Sequence, residues 1–135
     1  GREVECAVLG NYDVKATNVG EVLSALEFYD YDAKYNNPES KTVIPANIEE
    51  SISKEIQEKA IKIFKALDGR GLSRVDFFIE NDTNKVIFNE INTFPGFTSI
   101  SMYHMLWKNK GILLPELLDN LIELAFEDFN NKSVE

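Results

Sequence analysis

At 135 residues, with 44% hydrophobic and 27% charged positions, the chain can bury one ordinary core and is short for two. Fourteen lysines and arginines against 23 aspartates and glutamates leave a formal net charge of −9, so a phosphate backbone would meet repulsion and nucleic acid is excluded as a natural partner. The start, Gly1-Arg2-Glu3-Val4-Glu5, is charged, and no apolar run approaches the ~18 residues of a membrane span, which points to a soluble, cytoplasmic chain with no membrane partner.

In chain order, Val4, Cys6 and Val8 alternate with their neighbours in a strand over residues 4–9 that stops at Gly10-Asn11, a turn dipeptide. Cys6, the single cysteine, is a small core residue there and can form no internal disulfide. Residues 21–29 are ambiguous in period and read as a strand, and residues 30–44, with Asn36-Asn37-Pro38 and many charges, read as a surface loop. Asn47 with Glu50 resembles a capping box, after which Ile52, Ile56, Ile63, Phe64 and Leu67 recur at helical spacing until Gly69 and Gly71. Residues 73–79 and 86–92 are β-rich and flank a turn-forming cluster, a hairpin signature. Two helices follow over residues 98–110 and 115–129, divided by Gly111, with Pro115 in a first turn and Leu117, Leu118, Leu121, Ile122, Ala125 and Phe129 as the apolar stripe. The fold class is α+β: a mixed, largely antiparallel sheet with helices packed on it.

The hairpin carries the chemistry. A three-residue loop, Asp82-Thr83-Asn84, would set Asp76 across from Glu90 and Arg74 across from Asn92, with all four on one face and Val75, Phe77, Ile79, Ile87 and Ile91 on the other. Two carboxylates opposed about 5 Å apart repel, so something positive should sit between them. Arg74 offsets part of that charge. Three oxygen donors without a nearby histidine or cysteine suit a hard divalent cation, Mg²⁺ above all, completed by water and a substrate phosphate. Spacing alone leaves open a solvated strand end with a surface ion pair. The turn Thr93-Phe94-Pro95-Gly96-Phe97-Thr98-Ser99-Ile100-Ser101 offers N–H groups and hydroxyls to an anion, or merely an ordinary N-cap at Thr98 or Ser99. His104, the only histidine, and Met102, Met105 and Trp107 are read as packing residues, and the acidic helix faces as solvated.

These motifs together, G-x-E-x-x-x-A-V-L-G at the start, F-Y-D-Y-x-A-K-Y, R-x-D and N-E-I-N-T-x-P-G-F-T-S-x-S, resemble the D-alanine–D-alanine ligase family of ATP-grasp enzymes, with its vancomycin-resistance relatives. The resemblance implies a single domain over residues 1–135, the carboxy-terminal ATP-grasp part of a ligase whose amino-terminal domain and first ATP-grasp half are absent. It implies two Mg²⁺ ions, with Mn²⁺ as a substitute, held by Asp76, Glu90 and Asn92, and Glu90 bridging them. Arg74 would contact the transferring phosphoryl group, the Gly96 N–H would polarise the oxyanion of a tetrahedral intermediate, and Ser101 would hold the carboxylate of the second amino acid. Glu3 would touch the ATP ribose, Phe28 would cover the adenine, Lys34 would reach the γ-phosphate, and Tyr35 would seal a lid against water. The Lys34-Tyr35 pair resembles members that add an amino acid rather than D-lactate. The implied substrates are ATP and D-alanine, with D-alanine or D-serine second; the implied parent is a homodimer serving peptidoglycan synthesis, and the piece alone would not turn over. A carboxylate-pair hydrolase using Asp76 and Glu90 without ATP, and a non-catalytic α+β interaction module, are the competing classes.

Overall fold

The computed structural model describes residues 1–24 and 41–134. Alternation decides the first strand, β1 (Arg2–Gly10): Val4, Cys6 and Val8 are fully buried on one face, and Ala7 and Leu9 are buried on the other. It is followed by β2 (Lys15–Ala16), β3 (Gly20–Val22), β4 (Thr42–Val43), α1 (Glu50–Ala66), β5 (Gly71–Ile79), β6 (Val86–Asn92), α2 (Met102–Asn109) and α3 (Leu114–Val134). The strands form one sheet in the order β4-β3-β1-β5-β6, with β2 beside the far end of β1, and every described pairing is antiparallel. Strands with helices on both faces make this α+β, as composition and pattern suggested. Arg2 clamps the β1–β3 edge: its Nε and Nη2 donate to Glu21 Oε2 and Oε1, both at 2.7 Å.

Each face is covered differently. On one, Ile56, Ala60 and Phe64 of α1 lie over Val4, Cys6, Val8, Val75, Phe77 and Ile79. On the other, Met102, Tyr103, Leu106 and Trp107 of α2 and Leu117 of α3 pack on Ala7 and Leu9. Each such side chain contributes about 1.5–3 kcal/mol by leaving water. Tyr103 donates its hydroxyl to the Val8 carbonyl at 2.8 Å, so its ring is seated with its polar end satisfied. Among the described residues, helices cover the Leu9 end of this second face and not its Glu5 end.

Several local expectations change. The capping box does not form: α1 has Glu49 at its N-cap with no side-chain bond, so Asn47 lies two residues before the cap, where its carbonyl accepts from Arg2 Nη2 at 3.0 Å. The α1 end is as expected, since a Cβ on Gly69 would lie 2.3 Å from the Phe64 ring. Of the strand read over residues 21–29, only the start is strand, and residues 25–40 lie outside the described ones; β4 falls at the end of the segment read as loop. The first late helix begins at Met102 rather than at residue 98, because Ser101 is engaged with Thr98 in the preceding loop. Gly111, at φ +101°, separates α2 from α3. On α3 the expected stripe is only partly inside: Leu117 is buried and Leu121 half-buried, whereas Leu118, Ile122, Ala125 and Phe129 are exposed.

The hairpin reaches the expected pairing by a different route. Glu80 N donates to Lys85 O and Asn84 N to Glu80 O, both at 2.9 Å, so the loop holds four residues, 81–84, with Asn84 at φ +57°. Ile79 then opposes Val86, Phe78 opposes Ile87 and Phe77 opposes Phe88, one residue off the assumed register. A bulge at Asn89 takes up the extra residue, and beyond it Asp76 opposes Glu90, Val75 opposes Ile91 and Arg74 opposes Asn92. The shift reverses faces near the turn, so Ile87 is 43% exposed instead of facing inward and Val86 is buried in its place.

Candidate functional site

On the open end of the second face, the three central strands put one row of carboxylates side by side. Glu5 on β1 pairs with Asp76 on β5, which pairs with Glu90 on β6. The next row is Ala7, Arg74 and Asn92. Residues at i and i+2 and their cross-strand partners share a face, so Arg74, Asp76, Glu90 and Asn92 stand together as the pairing argument required. Glu3 joins them at the rim of a cleft of about 230 Å³ that Glu5, Arg74, Asp76 and Glu90 also line.

Arg74 organises the row. Its Nε donates to Asp76 Oδ1 at 2.9 Å and its Nη2 to Asp76 Oδ2 at 3.0 Å, a two-pronged pair. The same Nε lies 3.3 Å from Glu5 Oε2, within ion-pair reach but outside hydrogen-bond geometry, and that oxygen is buried without a donor among the described residues. Burial pushes the Glu5 carboxyl up from 4.5 to about 7; the negative charge of Asp76 adds to the rise and Arg74 opposes it. The Asp76 hydrogen bonds raise Arg74 above its ordinary value.

Four carboxylates of the cleft surround a single guanidinium. That excess of negative charge, carried by oxygen donors alone, is chemistry a hard divalent cation would neutralise. Among the described residues no group of three or more acidic, histidine or cysteine side chains is placed to hold a metal ion. The reason is visible in the pairing: Asp76 is turned to Arg74, and the third expected donor is an amide. Asn92 Oδ1 accepts from Phe94 N at 3.1 Å, which turns the chain out of β6 and leaves that oxygen a second lone pair. The donor chemistry, oxygen throughout, suits a hard cation, and Asp76 is paired with Arg74.

The loop beyond Asn92 gathers two more expected residues. Ser101 Oγ accepts from Thr98 N at 3.0 Å and lies 2.7 Å from Thr98 Oγ1. A Cβ on Gly96 would come within 3.1 Å of that Oγ, so Gly96 lies against Ser101 with its backbone exposed. Phe97 packs edge-on to Tyr103 and stacks on His104, whose Nε2 donates to the Thr98 carbonyl. His104 is thus a loop tie, in keeping with its reading as a packing residue. Phe28, Lys34 and Tyr35 lie outside the described residues. Glu5 was missed: its alternation with Val4 and Cys6 marked its face, but nothing local said that β1 lies beside β5, some 70 positions away.

A larger cleft of about 340 Å³ lies between the far end of β1 and α3. There Asn11 donates to the Leu124 carbonyl and Glu127, and the polar groups serve to tie strand to helix.

Comparison with known proteins gives the same picture. A family model described as "D-ala D-ala ligase C-terminus" matches residues 1–123. The D-alanine–D-alanine ligase of Acetivibrio thermocellus is 57% identical over 131 residues, which is 97% of this chain and 35% of that enzyme. Among solved structures, the D-alanine–D-alanine ligase of Coxiella burnetii is 44% identical with a TM-score of 0.82, over 98% of this chain and 34% of that one. The VanG D-Ala:D-Ser ligase of Enterococcus faecalis is also 44% identical, with a TM-score of 0.76 over 92% of this chain and 36% of that one. The chain spans about a third of the length of these relatives, as 35%, 34% and 36% state. With a match across nearly its whole length, and a fold that superposes throughout, the chain belongs to the carboxy-terminal family of D-alanine–D-alanine ligases.

Proposed function

We propose that this chain is the Mg-ATP-binding carboxy-terminal part of a cytoplasmic ATP-grasp ligase that joins two D-amino acids for peptidoglycan synthesis. The observation that carries this reading is the convergence of Asp76, Glu90, Asn92 and Arg74 on one sheet face, in a chain of this family. The reaction turns ATP and two amino acids into ADP, phosphate and a dipeptide. The carboxylate of the first D-alanine takes the γ-phosphoryl group, the amine of the second amino acid, D-alanine or D-serine, attacks that acyl carbon, and phosphate leaves.

Asp76, Glu90 and Asn92 would hold Mg²⁺, which when bound supplies positive charge to phosphate oxygens. Arg74, permanently charged and planar, lies in the same cleft and can meet a phosphoryl group with the fork it now gives to Asp76. The exposed Gly96 N–H is suited to an oxyanion, and the Ser101 hydroxyl beside it to a substrate carboxylate. Glu3 at the cleft rim suits a ribose hydroxyl. Phe28, Lys34 and Tyr35 carry the roles of adenine cover, γ-phosphate contact and lid. The rest of the nucleotide cleft would lie in the amino-terminal part, and a dimer contact partly there.

The test is made in the complete ligase. Asp76→Asn, Glu90→Gln and Arg74→Ala are each expected to lower kcat for amino-acid-dependent ADP release by at least ~100-fold, comparable with loss of one stabilising donor, while the melting temperature stays within a few degrees. Activity without ATP that survives chelation would instead favour the hydrolase class.

A further inference from the structure

The carboxylate that pattern reading passed over has no task in the reading above, yet it sits at the centre of the cleft. Glu5 is 14% exposed in its side chain and stands in register with Asp76. Its Oε2 has no hydrogen-bond donor among the described residues, although the Arg74 Nε lies 3.3 Å away. That N–H is directed at Asp76 Oδ1 instead. One guanidinium therefore stands between a buried carboxylate, Asp76, and a half-buried one, Glu5, fully engaged with the first and poised beside the second. A buried acceptor left empty costs about 1–3 kcal/mol, which favours any rearrangement that fills it.

We propose that Glu5 is a positioning residue: it takes over the Arg74 guanidinium when Asp76 is drawn to a divalent cation, so that cation binding does not leave the arginine unpaired. The inference rests on the ligase reading of Asp76 and Glu90 as cation ligands. Asp76 cannot give both oxygens to the Arg74 fork and also coordinate freely. A short swing of the guanidinium toward Glu5 frees Asp76 and keeps Arg74 charge-balanced and inside the cleft, where a phosphoryl group arrives. No covalent bond changes; Glu5 acts as its carboxylate, and one ion pair is exchanged for another.

The test measures Mn²⁺ affinity of the complete ligase in the absence of nucleotide and amino acid, by the loss of the free-ion electron paramagnetic resonance signal. Glu5→Gln keeps shape and removes the alternative anion; it should weaken Mn²⁺ binding by roughly 10-fold, the scale for partners that orient metal ligands. Glu5→Asp should recover part of the loss, and melting curves check that both variants are folded. Simple removal of a negative charge would also weaken binding, so the decisive comparison is a double-mutant cycle. In an Arg74→Ala background, Asp76 needs no release, and Glu5→Gln should then weaken Mn²⁺ binding by markedly less than it does with Arg74 present. Effects that add across the cycle would overturn the positioning role and leave the ligase reading standing. If Asp76→Asn leaves Mn²⁺ affinity unchanged, the cation assignment fails and the role of Glu5 fails with it.

Discussion

One half-buried carboxyl, that of Glu5, gives this chain a measurable pH signature. In the metal-free protein Glu5 binds its proton up to about pH 7, against 4.5 for the ordinary group, because burial and Asp76 disfavour the ionised form. The folded state thus holds a proton over that interval that the unfolded state lacks. The corresponding stability is present below pH 4.5 and is lost as pH rises toward 7, on the order of 3 kcal/mol in full. Glu5→Gln should abolish this component, so that the wild type loses stability relative to the variant between pH 5 and pH 8 in denaturant titrations. Parallel pH profiles for the two proteins would contradict it. At this scale the sequence was informative about type and silent about environment. Alternation put Glu5 on the Glu3 face and Cys6 on the core face, where Cys6 is indeed fully buried. It did not say that a guanidinium and two more acids would gather around Glu5, since three strands meet there.

Among the elements, α3 separates what periodicity can and cannot settle. Leu117 is fully buried against α2 and the sheet, whereas Ile122 is 57% exposed, though both belong to one apolar stripe. Leu117→Ala should cost about 2–5 kcal/mol in chemical unfolding, through lost burial and a cavity. Ile122→Ala should stay within about 0.5 kcal/mol. Equal costs would mean that the exposed side of α3 is covered in solution. The hairpin teaches a related point. Its strands were legible from β-rich runs around a turn cluster, but the loop is one residue longer than assumed and the bulge at Asn89 cancels the error at the site. The pairing of Asp76 with Glu90 followed from two compensating local geometries, and the outward turn of Ile87 is the trace of them.

At the scale of the whole fold, and among the described residues, one sheet face is covered by α1 and the other by α2 and α3 at its Leu9 end, with the acidic row lining a cleft beyond them. Among the described residues no helix is long and apolar enough to cross a membrane. A ligand that binds only the folded form raises stability by mass action, so Mg-ATP should raise the melting temperature of the complete ligase and ATP with a chelator should do so far less. A shift of equal size with and without the metal would remove the cation from the nucleotide site. The sequence by itself determined the first strand, the long helices, the hairpin, the α+β class, the family resemblance and the shared face of Arg74, Asp76, Glu90 and Asn92, because alternation, turn chemistry and motif order are local properties. Only the tertiary structure decided which strand lies beside β5, which apolar residues of α3 are inside, and that Arg74 stands between Asp76 and Glu5. Those facts depend on contacts between positions tens of residues apart, and no local pattern encodes the neighbour that folding supplies.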